Sequence, residues 1–523
     1  MVSYLRARLT VWLDIAVLTI VSLCLRVWGL GFDLPNLYHR DEGKYVSIPL
    51  TIMKTGDYNP HFFNYPTLFF YLLTFGYIVY FLLMASRGYL GSLQGLVLPE
   101  KVMENVVWRA TMPSQFLVGR GIVALTGVFT IWVVYWLVGR AFGRRAAMIA
   151  ALALCVSPTH VRNSHFVAPD VTMILIVVLA FAAAYQVWTE GRRRDYVVAG
   201  LLVGLAVSTK YNAYPTVLPL LVAHVMGRNP EHWFGTDIAV AGLSCVAGFF
   251  LGTPYAFLDL AAFLNGLSFE LRHYSVMADP GEAGQNSLVW YVSYLLRTEG
   301  LVPVIAAVAI VRGFMTRSRA MLLFSSFPVF YLGLISFYVV KNDRTALTIV
   351  PFLAMLAGVA LDAGLGWIGT RWERLGRSPT SLGVLSAGLI LVVLALPAVR
   401  AVQINRRFMQ EDVRTQVTRW LQENVEPGTR VVGEYYSPLL VNSDLEFRWI
   451  DHASDQPYQW YLAHADYVVL MENRYQGFFV DPSRYPEQVA IYSQLRAASN
   501  LVKEFDGVGL GNAVRAQIYR VQQ

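Results

Sequence analysis

The sequence is poor in charged residues: only 15% of its 523 residues are Asp, Glu, Lys or Arg, whereas 55% are hydrophobic. Soluble globular proteins carry about 25% charged residues, so this composition excludes an ordinary soluble domain. Apolar runs of roughly 20 residues, long enough to cross a bilayer, recur along the chain and raise the mean hydropathy to +0.45. The sequence therefore predicts an integral membrane protein.

Cysteine is also scarce. Cys24, Cys155 and Cys245 lie far apart inside apolar runs, without C-x-x-C spacing. This pattern predicts buried free thiols with no metal or redox role. The sequence has no H-E-x-x-H pattern, and His160 and His165 are five residues apart, which does not place them on one helical face. Histidine ligation of a metal is therefore disfavoured.

The formal net charge of +7 is unevenly distributed. Residues 1–401 contain 30 Lys or Arg and 20 Asp or Glu, whereas residues 402–523 contain 12 and 15. The basic residues do not form one solvated face, so no nucleic-acid partner is expected, and anionic membrane lipids suit them better. The first apolar run, 11–30, is too long for a signal peptide, which predicts an uncleaved first span.

The apolar runs predict about eleven transmembrane helices. They lie at 11–30, 118–138, 146–162, 171–188, 196–209, 214–226, 237–253, 300–313, 320–340, 345–366 and 381–401. Arginine-rich turns at 140–145, 192–194, 228, 312–319 and 371–377 all face the cytoplasm if the apolar run 66–85 does not cross the membrane. We therefore expect 66–85 to be re-entrant or interfacial. The N-terminus is expected to be cytoplasmic and the C-terminal domain extracytoplasmic. The expected membrane is the plasma membrane.

From residue 402 onward, charges become frequent and short β-rich runs alternate with helical segments. The predicted strands are 430–433, 467–471 and 517–521, the predicted helices are 413–424 and 488–498, and a hairpin is expected at 507–511. Pro427-Gly428 is a turn signal between the first helix and the first strand. This pattern predicts a small soluble α/β domain, 402–523, on the extracytoplasmic face, after a transmembrane domain of 1–401.

Two acidic positions on the predicted outer face are candidates for chemistry. Asp41 and Glu42 lie side by side in the outer loop 31–65, and Asp170 precedes the span 171–188. Acids at a membrane surface are expensive unless they are paired or functional. Each could equally be a helix-capping acid, but two such acids converging in one cleft favour a site.

Cations form the third candidate group. They lie near outer ends of apolar runs, where snorkelling side chains are common: Arg120, Arg162, Lys210, Lys341 and Arg344. Lys210 and Arg344 are the stronger candidates because each sits between two apolar segments, in STKYNAY and KNDRTAL respectively.

The order of these features resembles a known superfamily. A first span ending in LRVWGL is followed by the Asp41-Glu42 pair, GDYNP, FFNYPTLFFYLL, an arginine-led span (GRGIVALTGVF), SPTHVRNSH, GLAVSTKYNAYP, ADYVVL and a final IYRV strand. Over nearly its whole length the chain is similar to the GT-C glycosyltransferases of the protein O-mannosyltransferase and lipid A aminoarabinose transferase superfamily. The resemblance implies an all-α polytopic membrane domain of GT-C type with a small α/β C-terminal domain.

The resemblance also implies an activity and roles for residues. The expected reaction moves a sugar from a polyprenyl-phosphate donor to a glycan, lipid or protein acceptor on the non-cytoplasmic face. A single base and a direct displacement predict inversion at the anomeric carbon. Catalytic roles fall to Asp41 as general base, with Glu42 and Asp170, and donor phosphate binding falls to Lys210, Arg120 and Arg344. Supporting roles are expected for His39, Arg40, His61, His165 and Lys341. The sequence departs from its relatives at Asn64-Tyr65-Pro66, where they often have Lys-Pro-Pro or His-Pro-Pro.

Other interpretations stay open from sequence alone. No cofactor is certain, and a divalent metal ion held by Asp41 and Asp170 is a hypothesis. The alternatives to a glycosyltransferase of this type are a polytopic transporter, a polymerase or ligase of lipid-linked glycans, and a non-catalytic lipid-binding or assembly subunit. A transporter would place polar residues at the membrane midplane.

Overall fold

The computed structural model describes residues 2–39, 41–103, 107–228, 233–276, 285–435, 437, 440, 443–510 and 512–522. Most of these residues are helical, and a small sheet domain follows the helices. The helices of the membrane part are α1 (Val2–Val27), α2 (Glu42–Thr55), α3 (Leu68–Ser86), α4 (Pro113–Phe142), α5 (Arg144–Cys155), α6 (Pro158–Asn163), α7 (Pro169–Thr189), α8 (Arg193–Thr209), α9 (Val217–Gly227), α10 (Thr236–Gly252), α11 (Tyr255–Leu258), α12 (Leu260–Val276), α13 (Ser287–Glu299), α14 (Val302–Met315), α15 (Arg319–Ile335), α16 (Asp343–Leu347), α17 (Val350–Arg374) and α18 (Pro379–Phe408).

The helical bundle has two distinct ends. Arg120, in the first third of α4, donates hydrogen bonds to the carbonyls of Leu30 and Phe32, just beyond the end of α1. Arg144, just beyond the end of α4, pairs with Asp14 in the first half of α1. The two helices are therefore antiparallel. We call the end where α1 finishes the site face and the opposite end the arginine-rich face.

Helix α3 begins and ends at the site face. Thr67, immediately before it, donates a hydrogen bond of 2.6 Å to the carbonyl of Gly252 at the end of α10. Near its other end, the hydroxyl of Tyr80 lies 2.8 Å from that of Ser114, in the first turn of α4. Helix α10 ends at the site face because it runs parallel to α8, which ends beside Lys210. The run 66–85 therefore adds no crossing, as the arginine-rich turns require.

The eleven predicted spans fall on α1, α4, α5, α7, α8, α9, α10, α14, α15, α17 and α18. By length and composition alone, six helices of the described chain could cross a membrane, α3 among them, or seven if α13 and α14, which are bent by 118° at their junction, form one span. Six of the predicted spans are shorter helices of 11 to 17 residues.

Helices α8 and α10 pack backbone against backbone. A Cβ on Gly204 would lie 2.0 Å from the carbonyl oxygen of Cys245, and one on Gly248 would lie 2.4 Å from that of Leu201. Small residues permit such close approach between helices in lipid. This contact fixes the end of α8, where Lys210 is the first residue beyond the helix.

The C-terminal domain is an α/β unit with a five-stranded sheet. Its elements are α19 (Val413–Asn424), β4 (Arg430–Glu434), β5 (Glu446–Ile450), α20 (Tyr458–His464), β6 (Tyr467–Met471), α21 (Glu472–Val480), α22 (Pro486–Ala498), β7 (Ser499–Gly509) and β8 (Asn512–Val521). A separate antiparallel sheet near the site face holds β1 (Asn36–Leu37), β2 (Glu100–Met103) and β3 (Val107–Arg109). The C-terminal strand order is β5-β4-β6-β8-β7, with β4 parallel to β5 and β6, and β8 antiparallel to both neighbours.

The boundary predicted at residue 401 falls inside α18, which continues to Phe408. The domain begins instead near α19 and rests on the loop that follows α1. The Tyr38 hydroxyl lies 2.8 Å from that of Thr415, and the Arg414 guanidinium lies 3.9 Å above the Tyr38 ring. The C-terminal domain therefore contacts the loop that carries Asp41.

Candidate active site

Asp41 lies at the start of α2, but its side chain makes no capping hydrogen bond to that helix in the described structure. Its Oδ2 instead accepts a hydrogen bond of 3.1 Å from Nη1 of Arg344. The two side chains are 33% and 27% exposed, so the pair can be reached from solvent. The capping interpretation of Asp41 therefore does not account for its carboxylate.

His39 contacts the arginine of this pair. Burial lowers the pKa of His39 to about 4, and the nearby Arg344 lowers it further in the same direction. The neutral ring presents Nε2 to Nη2 of Arg344 at 3.1 Å. His39 therefore orients the arginine that binds Asp41. Arg40, its neighbour in sequence, lies outside the described residues.

Glu42 points away from Asp41 and is fully buried. Its Oε2 lies 2.7 Å from Nη2 of Arg120, and its Oε1 accepts from Nε of Arg120 at 3.0 Å and from the Val167 N–H at 2.7 Å. Burial opposes ionisation of Glu42, but Arg120 outweighs it and the pKa is lowered overall. This ion pair joins the start of α2 to α4.

Arg120 is fully engaged within the protein. Besides Glu42, its guanidinium binds the carbonyls of Leu30 at 2.8 Å and Phe32 at 2.9 Å, and only 1% of the residue is exposed. The resemblance implies a phosphate-binding role for this residue, but every contact seen here is structural. Arg120 and Glu42 therefore position the loop rather than face the site.

Asp170 and Lys210 form a second acid–base pair. Nζ of Lys210 lies 2.7 Å from Oδ1 of Asp170, and both side chains are buried. Burial opposes the charge on Lys210, yet Asp170 raises the pKa well above its ordinary value. Oδ2 of Asp170 is buried without a hydrogen-bond partner among the described residues. Asp170 begins α7 directly after Pro169.

Arg344 links the two pairs. Burial opposes its charge, but the carboxylates of Asp41 and Asp170 raise the pKa of Arg344 well above its ordinary value. Nζ of Lys210 lies 5.7 Å from the ring centre of Tyr65. We call Asp41, Asp170, Lys210 and Arg344 the charge cluster.

The charge cluster fits a divalent metal poorly, because each carboxylate already binds a cationic side chain. Within the part of the chain that the structure describes, one group has metal-like spacing, namely Asp451, His452 and Asp455. That group belongs to the C-terminal domain. Asp41 and Asp170 belong to no group of this spacing among the described residues.

The remaining candidates lie apart from the cluster. His61 is exposed and binds Asp57 at 2.8 Å. The His165 ring stacks on Phe408, with the ring centres 4.6 Å apart. Lys341 is buried and donates to the carbonyl of Val339 at 3.1 Å. None of these contacts points into the charge cluster.

Glu270, on α12, is an acid that the sequence analysis missed. Burial raises the pKa of Glu270 to about 7; Lys210 opposes that rise and Asp41 adds to it. Both effects require Glu270 to lie near the charge cluster. The available signal was one acid flanked by Phe269 and Leu271.

A mostly apolar cavity of about 580 Å³ lies beside Glu270. Tyr211, Phe263, Tyr274 and Phe337 are among its lining residues. Tyr211 follows Lys210 directly in sequence, so the cavity begins next to the cluster. Its lining suits a hydrocarbon chain more than a polar solute.

The fold is that of known membrane enzymes. The structure of ArnT from Cupriavidus metallidurans in the apo state matches with a TM-score of 0.51, at 17% identity, over 98% of both chains. The chain has the GT-C fold. This confirms the GT-C resemblance that the sequence order predicts, including the helical membrane domain and the small C-terminal sheet domain.

Further comparisons agree with the GT-C fold. ArnT bound to undecaprenyl phosphate matches with a TM-score of 0.53, at 17% identity, over 97% of both chains. The archaeal oligosaccharyltransferase AglB from Archaeoglobus fulgidus, in complex with an inhibitory peptide and a dolichol-phosphate, matches with a TM-score of 0.53, at 13% identity, over 91% of this chain and 70% of that one. Residues 112–253 match the family model of dolichyl-phosphate-mannose-protein mannosyltransferases. None of the curated proteins matches the chain.

Proposed function

We propose that this GT-C protein transfers a sugar from a polyprenyl-phosphate-linked donor to an acceptor on the non-cytoplasmic face of the membrane. The observation that carries the proposal is the meeting of the charge cluster with the apolar cavity of about 580 Å³. A lipid-linked sugar phosphate needs both surroundings at one level of the membrane. The undecaprenyl phosphate bound by ArnT supports this ligand class.

The donor phosphate binds between Lys210 and Arg344, and its lipid tail occupies the apolar cavity. A guanidinium can bind a phosphate through two hydrogen bonds, whereas an ammonium acts as a point charge. Both cations face negative charge that grows on the phosphate as the bond to the sugar breaks. Cations fixed in advance in a dry site stabilise such charge most strongly.

Asp41 acts as the general base. It is the more exposed of the two acids, and it pairs with Arg344. A donor phosphate competes with Asp41 for Arg344 and thereby weakens this ion pair. An acceptor hydroxyl then attacks the anomeric carbon, the bond from that carbon to the phosphate oxygen breaks, Asp41 takes the hydroxyl proton, and polyprenyl phosphate leaves. One direct displacement inverts the anomeric configuration.

The arginine-rich face is placed in the cytoplasm by the positive-inside rule. The site face and the C-terminal domain then lie on the other side, where lipid-linked donors are used by such enzymes. A reporter fused after Gln523 tests this orientation. Alkaline phosphatase, which is active only outside the cytoplasm, should be active in this fusion, and an inactive but fully expressed fusion would reverse the assigned orientation.

The test of the function is release of polyprenyl phosphate from a panel of labelled polyprenyl-phosphate sugars, supplied with membrane-extracted acceptors. Asp41→Asn should lower turnover by about 10²–10⁴-fold, the usual contribution of a general base. Asp57→Asn is the matched control, since Asp57 is an exposed acid of the same loop and should keep full activity. Equal turnover in wild type and Asp41→Asn would remove Asp41 from this role.

Product stereochemistry provides an independent test of the displacement. The anomeric configuration of donor and product can be compared by NMR. Inversion is expected, and a retained configuration would contradict a single displacement with Asp41 as base. A transporter is disfavoured because the charge cluster lies at one face of the bundle and not at its midplane.

A further inference from the structure

A second cavity, of about 470 Å³, lies beside α16 at the site face. Its wall includes Asn342 and Asp343, whereas the next residue, Arg344, binds Asp41. Asn512, at the start of β8, brings the C-terminal domain to the same cavity. We call it the interdomain cavity. Only a short segment of chain separates it from the charge cluster.

One wall of the interdomain cavity is cationic. Arg162, Arg400 and Arg407 all line it. Arg162 pairs with Asp343, and Arg400 lies close enough to the buried carboxylate of Glu299 to interact with it electrostatically, but within the described residues neither Arg400 nor Arg407 forms an ion pair. Nη1 of Arg400 is buried without a hydrogen-bond partner. Leaving a buried cationic donor unsatisfied is costly, so we expect the missing partner to be an anionic group of a ligand.

The other wall is aromatic. The rings of Trp290 and Tyr294 are parallel within 2°, with centres 5.4 Å apart, and both line the cavity. The Tyr294 hydroxyl lies 3.1 Å from that of Thr159, which also lines the cavity. Broad aromatic side chains with polar tips suit ligands that have one apolar face and several hydroxyls. Sugars have this character.

We propose that the interdomain cavity binds an anionic sugar of the acceptor, meaning a sugar that carries a phosphate or a carboxylate. The proposal rests on the proposed function, because it assigns the acceptor to a place beside Asp41. Arg400 and Arg407 bind the anionic group, and Trp290 and Tyr294 carry the sugar ring. Asp343 and Arg344 are consecutive, with Cα atoms about 3.8 Å apart, so an acceptor held here presents a neighbouring hydroxyl toward Asp41.

Direct binding tests this proposal without any turnover. The full-length Asp41→Asn protein is placed in nanodiscs of zwitterionic lipid, and saturation-transfer NMR measures binding of four probes: glucosamine, glucosamine 1-phosphate, galacturonic acid and inorganic phosphate. The two charged sugars should bind at least about tenfold more tightly than glucosamine, the ratio that one charge-assisted hydrogen bond supplies. They should also bind more tightly than inorganic phosphate, which lacks a ring for the aromatic wall.

Variants then assign the binding to this cavity. Arg400→Gln and Arg407→Gln should each weaken the charged sugars about tenfold and leave glucosamine unchanged, whereas Trp290→Leu should weaken all three sugars alike. Arg374→Gln, at the arginine-rich face, is the matched control and should change nothing. Equal affinities for charged and neutral sugars, no saturable binding of either charged sugar, or full affinity in both Arg400→Gln and Arg407→Gln would overturn the proposal.

This outcome is separable from that of the proposed function. If no charged sugar binds but the donor is turned over, the proposal for the interdomain cavity is refuted and the proposed glycosyltransferase activity stands. Binding of charged sugars with no turnover of any donor would keep the cavity and count against the enzyme.

Discussion

Replacing Glu42 by Gln removes one charge from the buried pair with Arg120 and keeps the shape of the side chain. Glu42 accepts three hydrogen bonds, two from Arg120 and one from the Val167 N–H. Breaking a buried ion pair costs about 3–5 kcal/mol because the partner charge is left buried. The glutamine oxygen can keep about one of these bonds, worth about 1 kcal/mol. We therefore expect Glu42→Gln to lower the free energy of unfolding by about 2–4 kcal/mol.

Equilibrium unfolding in bicelles, titrated with SDS and followed by tryptophan fluorescence, measures this change. Glu373→Gln is the matched control: Glu373 is exposed, so its substitution should change stability by less than about 0.5 kcal/mol. The folded fraction of Glu42→Gln should also turn over more slowly at unchanged donor KM, since the substitution disturbs the position of Asp41 and not that of Lys210. If Glu42→Gln unfolds like the control, the pair is not a buried anchor and the reasoning fails.

The same pair sets a pH dependence. Because the pKa of folded Glu42 lies below its ordinary 4.5, its contribution to stability is present above that pH and is lost as pH falls through the folded value. The stability difference between wild type and Glu42→Gln should therefore be constant from pH 5 to 8 and shrink below about pH 4.5. A difference that persists undiminished at acid pH would contradict an ionised Glu42.

Three further outcomes follow from the structure. Gly204→Val should abolish folding, because a Cβ there would lie 2.0 Å from a carbonyl oxygen of α10. Gly242→Val should fold, because nothing lies within 4 Å of a Cβ at that position. Size-exclusion profiles in detergent separate the two variants, and a monodisperse Gly204→Val protein would contradict the contact. Burial raises the pKa of Glu270 to about 7. Donor affinity should therefore fall as pH rises through 7, because a carboxylate then forms near the proposed phosphate site. Glu270→Gln should flatten this pH profile, and an unchanged profile would exclude a role of Glu270 in it. Burial, with Asp412 nearby, raises the pKa of Asp33 to about 7. The contribution of protonated Asp33 to folding stability is therefore lost as pH rises through 7. Asp33→Asn should raise the Tm at pH 8 but not at pH 4, and equal Tm changes at both pH values would refute this pH dependence.

The order of the helices could be predicted because lipid demands long apolar segments whatever their packing. The placement of α3 required a second argument, since its composition alone permits a crossing. The arginine-rich turns supplied that argument, and the contacts of Thr67 and Tyr80 agree with it. Short helices such as α9 were also identifiable, but the glycine contacts between α8 and α10 were not, because spacing does not reveal which partner a helix meets.

The sequence predicted which residues belong to the candidate site better than it predicted which residues they bind. Asp41 and Glu42 are adjacent, but each helical residue turns the chain by about 100°, so one carboxylate faces Arg344 and the other enters the core. Nothing in the sequence pairs Arg120 with Glu42, 78 residues away. The resemblance therefore implied a phosphate role for an arginine that the structure uses as an anchor. Glu270 was missed because α12 follows no recognisable motif.

The strands of the C-terminal domain divide in the same way. The predicted runs correspond to β4, β6 and β8, whose residues are largely buried and strongly apolar. Strands β5 and β7 were not predicted; they lie at the edges of the sheet, and most of their residues are exposed or only half-buried. Edge strands carry little of the burial that makes a strand visible in sequence.

The two cations of the charge cluster, Lys210 and Arg344, are held by elements of very different length and packing. Lys210 follows a helix of 17 residues that is interlocked with its neighbour at the backbone, whereas Arg344 sits on a helix of five residues. A charge on a rigid mount costs little reorganisation when a ligand arrives, while a charge on a short mount can change partners. In the proposed mechanism, Lys210 is therefore the fixed cation that sets where the phosphate rests, and Arg344 is the cation that exchanges Asp41 for the phosphate.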